Sequence, residues 1–222
     1  MNPLCIECCK VRSLAGETNC YLIADPEEKQ ALIIDPAGEA EFLQKQIEAF
    51  QVTPLAILLT HAHYDHIAAM EKLKNTYRVP IYCDMADREL MSYSIRLLNH
   101  YHQPISPCVD HWMDGSETLR FGKIFAELIP TPGHSMGSVC YYFPAAETLI
   151  SGDSLFCGSV GRTDFREPEM RGSHEQLMES LKHLMARLPD AVKVLPGHGS
   201  ATTIGRERKY NPFLKNSGDF HA

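Results

Sequence analysis

Short apolar runs bounded by turn residues dominate the first third of the chain. Leu4 to Arg12, Asn19 to Ala24 and Ala31 to Ile34 are separated at Gly16 and at Asp25-Pro26, a pattern that predicts three strands in an antiparallel meander. The period then changes. From Glu39 to Phe50 the residues Phe42, Leu43, Ile47 and Phe50 recur at helical spacing, and Pro54 opens the unbroken run Leu55 to Leu59, read as a buried strand. A further helix is predicted to start near Asp65 and to continue through Met70 and Leu73, ahead of a short strand at Ile81 to Cys83.

Between residues 84 and 116 helical spacing at Leu90, Ile95 and Leu98 gives way to a mixture of Pro, His and aromatic residues from Tyr101 to Trp112, read as a helix followed by a long surface loop. Strand signals return at Thr118 to Phe121, Lys123 to Ile129, Ser138 to Phe143 and Thr148 to Ile150, each bounded by Gly or Pro. Ser173 and Gln176 form a capping box ahead of Leu177, Leu181, Leu184 and Leu188, which predicts an amphipathic helix. Ala191 to Leu195 is read as the last strand. With no repeat, charge run or low-complexity linker, residues 1–222 are expected to form one mixed α/β domain.

Composition narrows the function classes. The chain has 222 residues, 44% of them apolar and 22% charged, enough for one buried core. Its longest apolar stretch, Leu55 to Leu59, falls far short of the ~20 residues of a membrane helix, so no membrane span is expected. The opening MNPLCIECCKVRSL lacks the pattern of a secretory signal, and a cytoplasmic location is expected. A formal charge of -7 without a Lys/Arg cluster argues against a nucleic-acid partner. Eight cysteines in a chain of this length are expected to be free thiols.

The chemistry concentrates directly after the buried strand, at Thr60-His61-Ala62-His63-Tyr64-Asp65-His66. In an extended segment His61 and His63 point the same way, and a turn into a helix at Asp65 swings Asp65 and His66 toward the same opening. Imidazole nitrogen and carboxylate oxygen suit zinc, and also iron or manganese. Three singletons each follow a predicted strand beside a glycine: His134 in TPGH, Asp153 in SGD and His198 in PGHG. Seven candidate donors at strand ends could line one edge of a sandwich, a number that suits two metal ions.

THAHYDHI, TPGHS, SGD and PGHG resemble, in order, the motifs of the metallo-β-lactamase fold superfamily of hydrolases, from about His61 to His198. The resemblance implies a four-layer αββα sandwich, two mixed sheets flanked by helices, with a binuclear metal centre at the sheet edge. It implies one metal on His61, His63 and His134, a second on Asp65, His66 and His198, and Asp153 bridging them. Two divalent cations, zinc foremost, sharing one water would lower its pKa from ~15.7 toward neutrality and so supply a hydroxide nucleophile. Asp65 is the candidate catalytic residue that orients it.

Within that superfamily, GDSLF at Gly152 to Phe156 and GSVGRTDF at Gly158 to Phe165 are similar to glyoxalase II-like proteins, which hydrolyse the thioester S-D-lactoylglutathione. The ending from Pro196 to Phe213 looks like short members of that group. A small-molecule thioester is therefore the expected partner. Its thiol leaving group, of pKa ~8.5, departs without a strong general acid. The chain ends 24 residues after His198 (222 minus 198), so the resemblance implies a form without the helical C-terminal extension that contacts glutathione in glyoxalase II. Arg162 falls where the group places a lysine that contacts the tripeptide, and is the candidate substrate-binding residue. The other reading of Arg162 and Asp164 is a mutual salt bridge that shapes the loop. The string Gly161 to Phe165 is shared with persulfide dioxygenases, which hold a single iron through two histidines and one aspartate, here His61, His134 and Asp153. A persulfide dioxygenase is the alternative function.

Other signals carry less. His100, His102 and His111 are expected to be exposed loop residues, and His174, His183 and His221 surface residues. Cys5 and Cys8 make a CxxC without a second pair, and core thiols are expected there.

Overall fold

A computed structural model of the protein describes residues 4–115 and 117–215. Its first sheet runs β1 (Cys5–Ser13), β2 (Gly16–Asp25), β3 (Gln30–Ile34), β4 (Thr53–Leu58), β5 (Ile81–Asp84) and β6 (His111–Met113), side by side in chain order. The first three strands form the expected antiparallel meander, and β3 to β6 are parallel. Parallel neighbours need crossovers. These are α1 (Ala40–Phe50), the pair α2 (Tyr64–Ile67) and α3 (Met70–Tyr77), and α4 (Arg88–His100).

The second sheet contains β7 (Thr118–Phe121), β8 (Ile124–Pro130), β9 (Val139–Phe143), β10 (Thr148–Gly152), β13 (Lys193–Pro196) and β14 (Thr202–Thr203), in the order β14-β13-β10-β9-β8-β7. A two-stranded hairpin, β11 (Leu155–Phe156) with β12 (Ser159–Val160), projects beyond β10. The helices α5 (His174–Arg187), α6 (Ile204–Tyr210) and α7 (Pro212–Lys215) complete the described chain.

Strand parity explains the layering. In β3, Leu32 and Ile34 point into the space between the sheets, where they meet Ala126, Tyr141, Phe143 and Ile150, while Ile33 points outward to Leu43, Ile47 and Leu73 of the first helical layer. In the second sheet Ile150 and Leu195 face inward, and Leu149 and Val194 face outward onto Leu177, Leu181 and Leu184 of α5. Strands buried on both faces read as continuous apolar runs. The result is the αββα sandwich, with three apolar clusters between its four layers. No helix among the described residues is long and apolar enough to cross a membrane.

Several expectations need correction. The loop read at Tyr101 to Trp112 ends in β6, an edge strand of three residues paired with β5. The helix read from Asp65 to Leu73 is two helices, interrupted at Ala68 and Ala69. β13 is followed by β14, so Ala191 to Leu195 does not hold the last strand. Cys5 and Cys8 are exposed rather than core thiols, because β1 is an edge strand with a solvent-facing side. Half of the expected capping box is formed: the Ser173 hydroxyl accepts from the backbone N–H of Gln176 at 3.3 Å, while the Ser173 N–H donates to Gly133 O at 2.7 Å rather than to the Gln176 side chain. His221 lies outside the described residues.

Candidate metal centre

Five strands deliver side chains to one edge of the sandwich. β3 ends before Asp35, β4 before Thr60 and His61, β8 before His134, β10 before Asp153 and β13 before His198. β3 and β4 are parallel, as are β10 and β13, and β8 runs with β10 because both are antiparallel to β9. All five therefore end on the same side. The sheets are tied together there: Val139 N–H donates to Thr60 O at 2.8 Å, Asn19 N–H to Gly197 O at 2.8 Å, and the Tyr21 hydroxyl to Pro196 O at 2.6 Å.

All seven residues singled out in the sequence meet at this edge. His61, His63 and His134 each offer a ring nitrogen within 4.8 Å of the others, and Asp65, His66 and His198 form a second such group. Asp153 reaches both: its Oδ1 lies 3.4 Å from His66 Nε2, and its Oδ2 lies 3.6 Å from His134 Nε2 and 3.5 Å from His198 Nε2. Asp65 Oδ2 is 3.2 Å from His198 Nε2. His61, His63, His66 and His134 are buried, and His198 is partly open.

In four of the five rings a contact on the far side determines what the near side can do, while His63 Nδ1 faces His134 Nε2 at 2.8 Å within the cluster. His134 Nδ1 donates to the backbone carbonyl of Arg162 at 2.7 Å, and His198 Nδ1 to that of Glu17 at 2.8 Å. His66 Nδ1 lies 2.9 Å from Asp35 Oδ2, and His61 Nδ1 lies 3.0 Å from Thr60 Oγ1. With a proton fixed on the outer nitrogen, the inner one presents a lone pair. Nε2 of His61, His63 and His66 and Oδ1 of Asp153 are buried without a hydrogen-bond partner. Orphaned acceptors at such density are costly unless something electropositive sits among them. The donor set fits divalent cations.

The electrostatics agree. Burial, reinforced by neighbouring imidazoles, drives His61 well below the ordinary histidine value and His63 down to about 3. Neutral imidazole is the ligating form. His66 is the exception: burial would lower it too, but the carboxylates of Asp153 and Asp35 outweigh that and raise it well above the usual range, so a cation must displace the proton on its Nε2 before that nitrogen can ligate. Asp153 is buried too, yet His66, His134 and His198 keep it ionised far below a normal carboxyl.

Two carboxylates absent from the sequence reading support the cluster. Asp35 accepts from Thr60 N–H at 2.7 Å and from the Thr60 hydroxyl at 2.6 Å, besides facing His66. Asp87 accepts from Ala62 N–H at 2.8 Å, Gly137 N–H at 2.7 Å and the Ser135 hydroxyl at 2.9 Å, and so joins the loop of His61 and His63 to that of His134. Arg162 contributes its carbonyl to His134. Its side chain is exposed, pairs with Asp164 at 2.8 Å and stacks over Phe165 at 4.6 Å. His100, His102, His111, His174 and His183 are exposed, as expected, but His100 closes α4 and His111 opens β6, so of the three read as loop residues His102 alone lies outside a helix or strand.

A sandwich of two mixed sheets between helices, with His and Asp donors gathered at the shared sheet edge, defines a metal-binding fold. The chain belongs to the metallo-beta-lactamase superfamily, whose family profile matches residues 14–198. It is 38% identical to a probable metallo-hydrolase YqgX of Bacillus subtilis, covering 89% of this chain and 92% of that protein. It is 36% identical to the hydroxyacylglutathione hydrolase GloC of Haemophilus influenzae, covering 91% and 95% respectively. Among solved structures, the BLEG-1 B3 metallo-beta-lactamase superposes with a TM-score of 0.84 at 36% identity over 95% of this chain and 99% of that one. TTHA1623 in a di-iron-bound form gives 0.76 at 35% over 89% and 96%. ETHE1 from Myxococcus xanthus gives 0.75 at 25% over 93% and 83%.

Proposed function

We propose that this protein is a metal-dependent thioester hydrolase of the hydroxyacylglutathione hydrolase type, cleaving S-D-lactoylglutathione or a related thioester in the cytoplasm. The observation that carries the reading is the convergence of two donor groups, His61/His63/His134 and Asp65/His66/His198, on the one carboxylate of Asp153. These residues would hold two divalent cations, zinc foremost, with iron as an alternative that the similarity to the di-iron-bound TTHA1623 structure supports and manganese as one that the donor types allow. Bound there, the pair would supply Lewis acidity and a water of near-neutral pKa. In the net reaction water adds to the thioester carbonyl carbon and the C–S bond breaks, giving a carboxylate, a thiol and one proton.

The chain's own residues supply position. Asp65, held ionised against burial by its contact with His198, is assigned to orient the attacking water. The leaving thiol, with a pKa of ~8.5, needs no strong acid beside it. The 36% identity to GloC supports the thioester, and eight free cysteines support a reducing compartment.

The test is metal analysis of the purified protein together with thiol release from S-D-lactoylglutathione and other thioesters, with a β-lactam as a further substrate. Two metal ions per chain and thioester turnover support the proposal. The second reading, a persulfide dioxygenase with one iron on His61, His134 and Asp153, is favoured by the Gly161 to Phe165 string. One iron per chain, with oxygen consumed on adding glutathione persulfide and no thioester cleaved, would replace the first reading with it.

A further inference from the structure

Beside the histidine cluster lies a cavity of about 420 Å³ whose chemistry is not that of an anion site. Four of its walls are the rings of Tyr64, Tyr93, Tyr101 and Phe165. Phe165 joins it to the metal centre, with its ring centroid 5.0 Å from that of His63 and 5.5 Å from that of His134. Tyr64 lies in the chain between His63 and Asp65. A substrate whose reacting carbon sits at the donors therefore extends over these rings.

Charge decides which substrate. Of the residues lining the cavity, Arg162 is the cation and Glu167 the anion, so the wall carries no net charge. The Arg162 guanidinium is already paired with Asp164 at 2.8 Å and laid on Phe165 at 4.6 Å. Arg96, which stands over the Tyr93 ring at 5.6 Å, is paired with Glu169 at 3.3 Å. A glutathione moiety would bring two carboxylates to a wall whose one lining cation, Arg162, is shared with Asp164 and offset by Glu167. An uncharged aromatic or alkyl group gains stacking and apolar burial instead, with tyrosine hydroxyls at hand for a single acceptor.

We infer that the cavity formed by Tyr64, Tyr93, Tyr101 and Phe165 selects thioesters carrying an uncharged, ring-sized apolar group on the acyl or thiol half, in preference to glutathione thioesters. This rests on the thioester hydrolase reading for turnover, but not for binding. The zinc-loaded full-length protein is assayed with S-D-lactoylglutathione, with lactoyl 2-phenylethyl thioester and with phenylacetyl glutathione thioester, the last two separating the thiol half from the acyl half. In parallel, calorimetry compares an uncleavable phenylethyl thioether with S-methylglutathione. One of the aryl thioesters is expected to exceed S-D-lactoylglutathione at least tenfold in kcat/KM, and the thioether to bind at least tenfold more tightly than S-methylglutathione. Tyr93→Ala, and Tyr101→Ala at a rim position 55% exposed where folding is not at stake, are expected to raise the aryl KM and weaken the thioether about tenfold. Preference for S-D-lactoylglutathione, or thioether binding that both variants leave unchanged, overturns the inference. If the thioether binds as expected and no thioester is cleaved, the hydrolase reading falls and the cavity assignment stands. If thioesters are cleaved and S-methylglutathione binds more tightly, the reverse holds.

Discussion

Asp35 Oδ2 lies 2.9 Å from Nδ1 of His66, and the same carboxylate receives both the N–H and the hydroxyl of Thr60, whose oxygen faces His61 Nδ1. One buried carboxylate thus sets the orientation of two rings that belong to different donor groups. Asp35 achieves this with a left-handed backbone, φ 49°, at the end of β3, which turns its side chain back under the β4 end.

Replacing Asp35 with Ala would leave the Thr60 N–H and the His66 Nδ1–H buried without an acceptor. The expected cost is about 3–5 kcal/mol in folding stability, together with a 10–100-fold loss of zinc affinity. Denaturant unfolding and competitive zinc titration check both. A variant that binds zinc as tightly as the parent would show that His66 is held by something else.

Gly197 fixes the opposite wall. A Cβ there would overlap the Asp153 carboxylate and come within 2.6 Å of His66 Cε1. The backbone cannot retreat, since Gly197 N–H donates to Gly152 O and its carbonyl accepts from Asn19, both at 2.8 Å. Gly197→Ala is expected to cost about 1–3 kcal/mol in stability. Metal content per chain after dialysis is expected to fall at least tenfold while the far-ultraviolet circular dichroism stays native. Full metal content would mean that Asp153 and His66 can separate without loss.

The donors were legible because their signal is local: three histidines and an aspartate within six residues, then His134, Asp153 and His198 each directly after a strand. Asp35 carries that same signal after β3 and could have been found by it. Asp87 could not. Its partners Ala62 and Gly137 lie 25 and 50 residues away, so only the folded chain brings them together. The layers were legible from apolar runs buried on both faces, such as Ala31 to Ile34. β6 was hidden because three residues of edge strand owe their conformation to pairing with β5 rather than to a pattern of their own. The end of the chain was unread for a similar reason: α6 rests on the Thr203 hydroxyl capping Arg206 N–H and on the buried contacts of Ile204, not on a long periodic face.

Arg162 offers a separate check on its own loop. The side-chain pair with Asp164 is exposed, and such pairs contribute about 0–1 kcal/mol. The contact that matters to His134 comes from the Arg162 carbonyl, which every residue keeps. Arg162→Ala is therefore expected to shift stability by less than about 1 kcal/mol and to leave metal content unchanged. A loss of ~2 kcal/mol or more would show that the guanidinium shapes the loop around His134.

Asp87 predicts a pH dependence whose sign can be worked out. Burial raises its carboxyl to about 6, against three hydrogen bonds that lower it, while in the unfolded chain it returns to about 3.8. Between those two values the folded protein binds the proton and the unfolded chain does not. Stability from this group is thus fully present below about pH 4 and is lost as pH rises through about 6, a total of about 3 kcal/mol at 1.36 kcal/mol per unit. Asn at this position does not titrate. The difference in unfolding free energy between the parent and Asp87→Asn, measured by urea at intervals from pH 4 to pH 7.5, is therefore expected to shift against the parent as pH rises. A difference that is flat across this window, or that shifts in the parent's favour, would place the Asp87 carboxyl at or below its unfolded value and make its three donors, not its burial, the stronger influence.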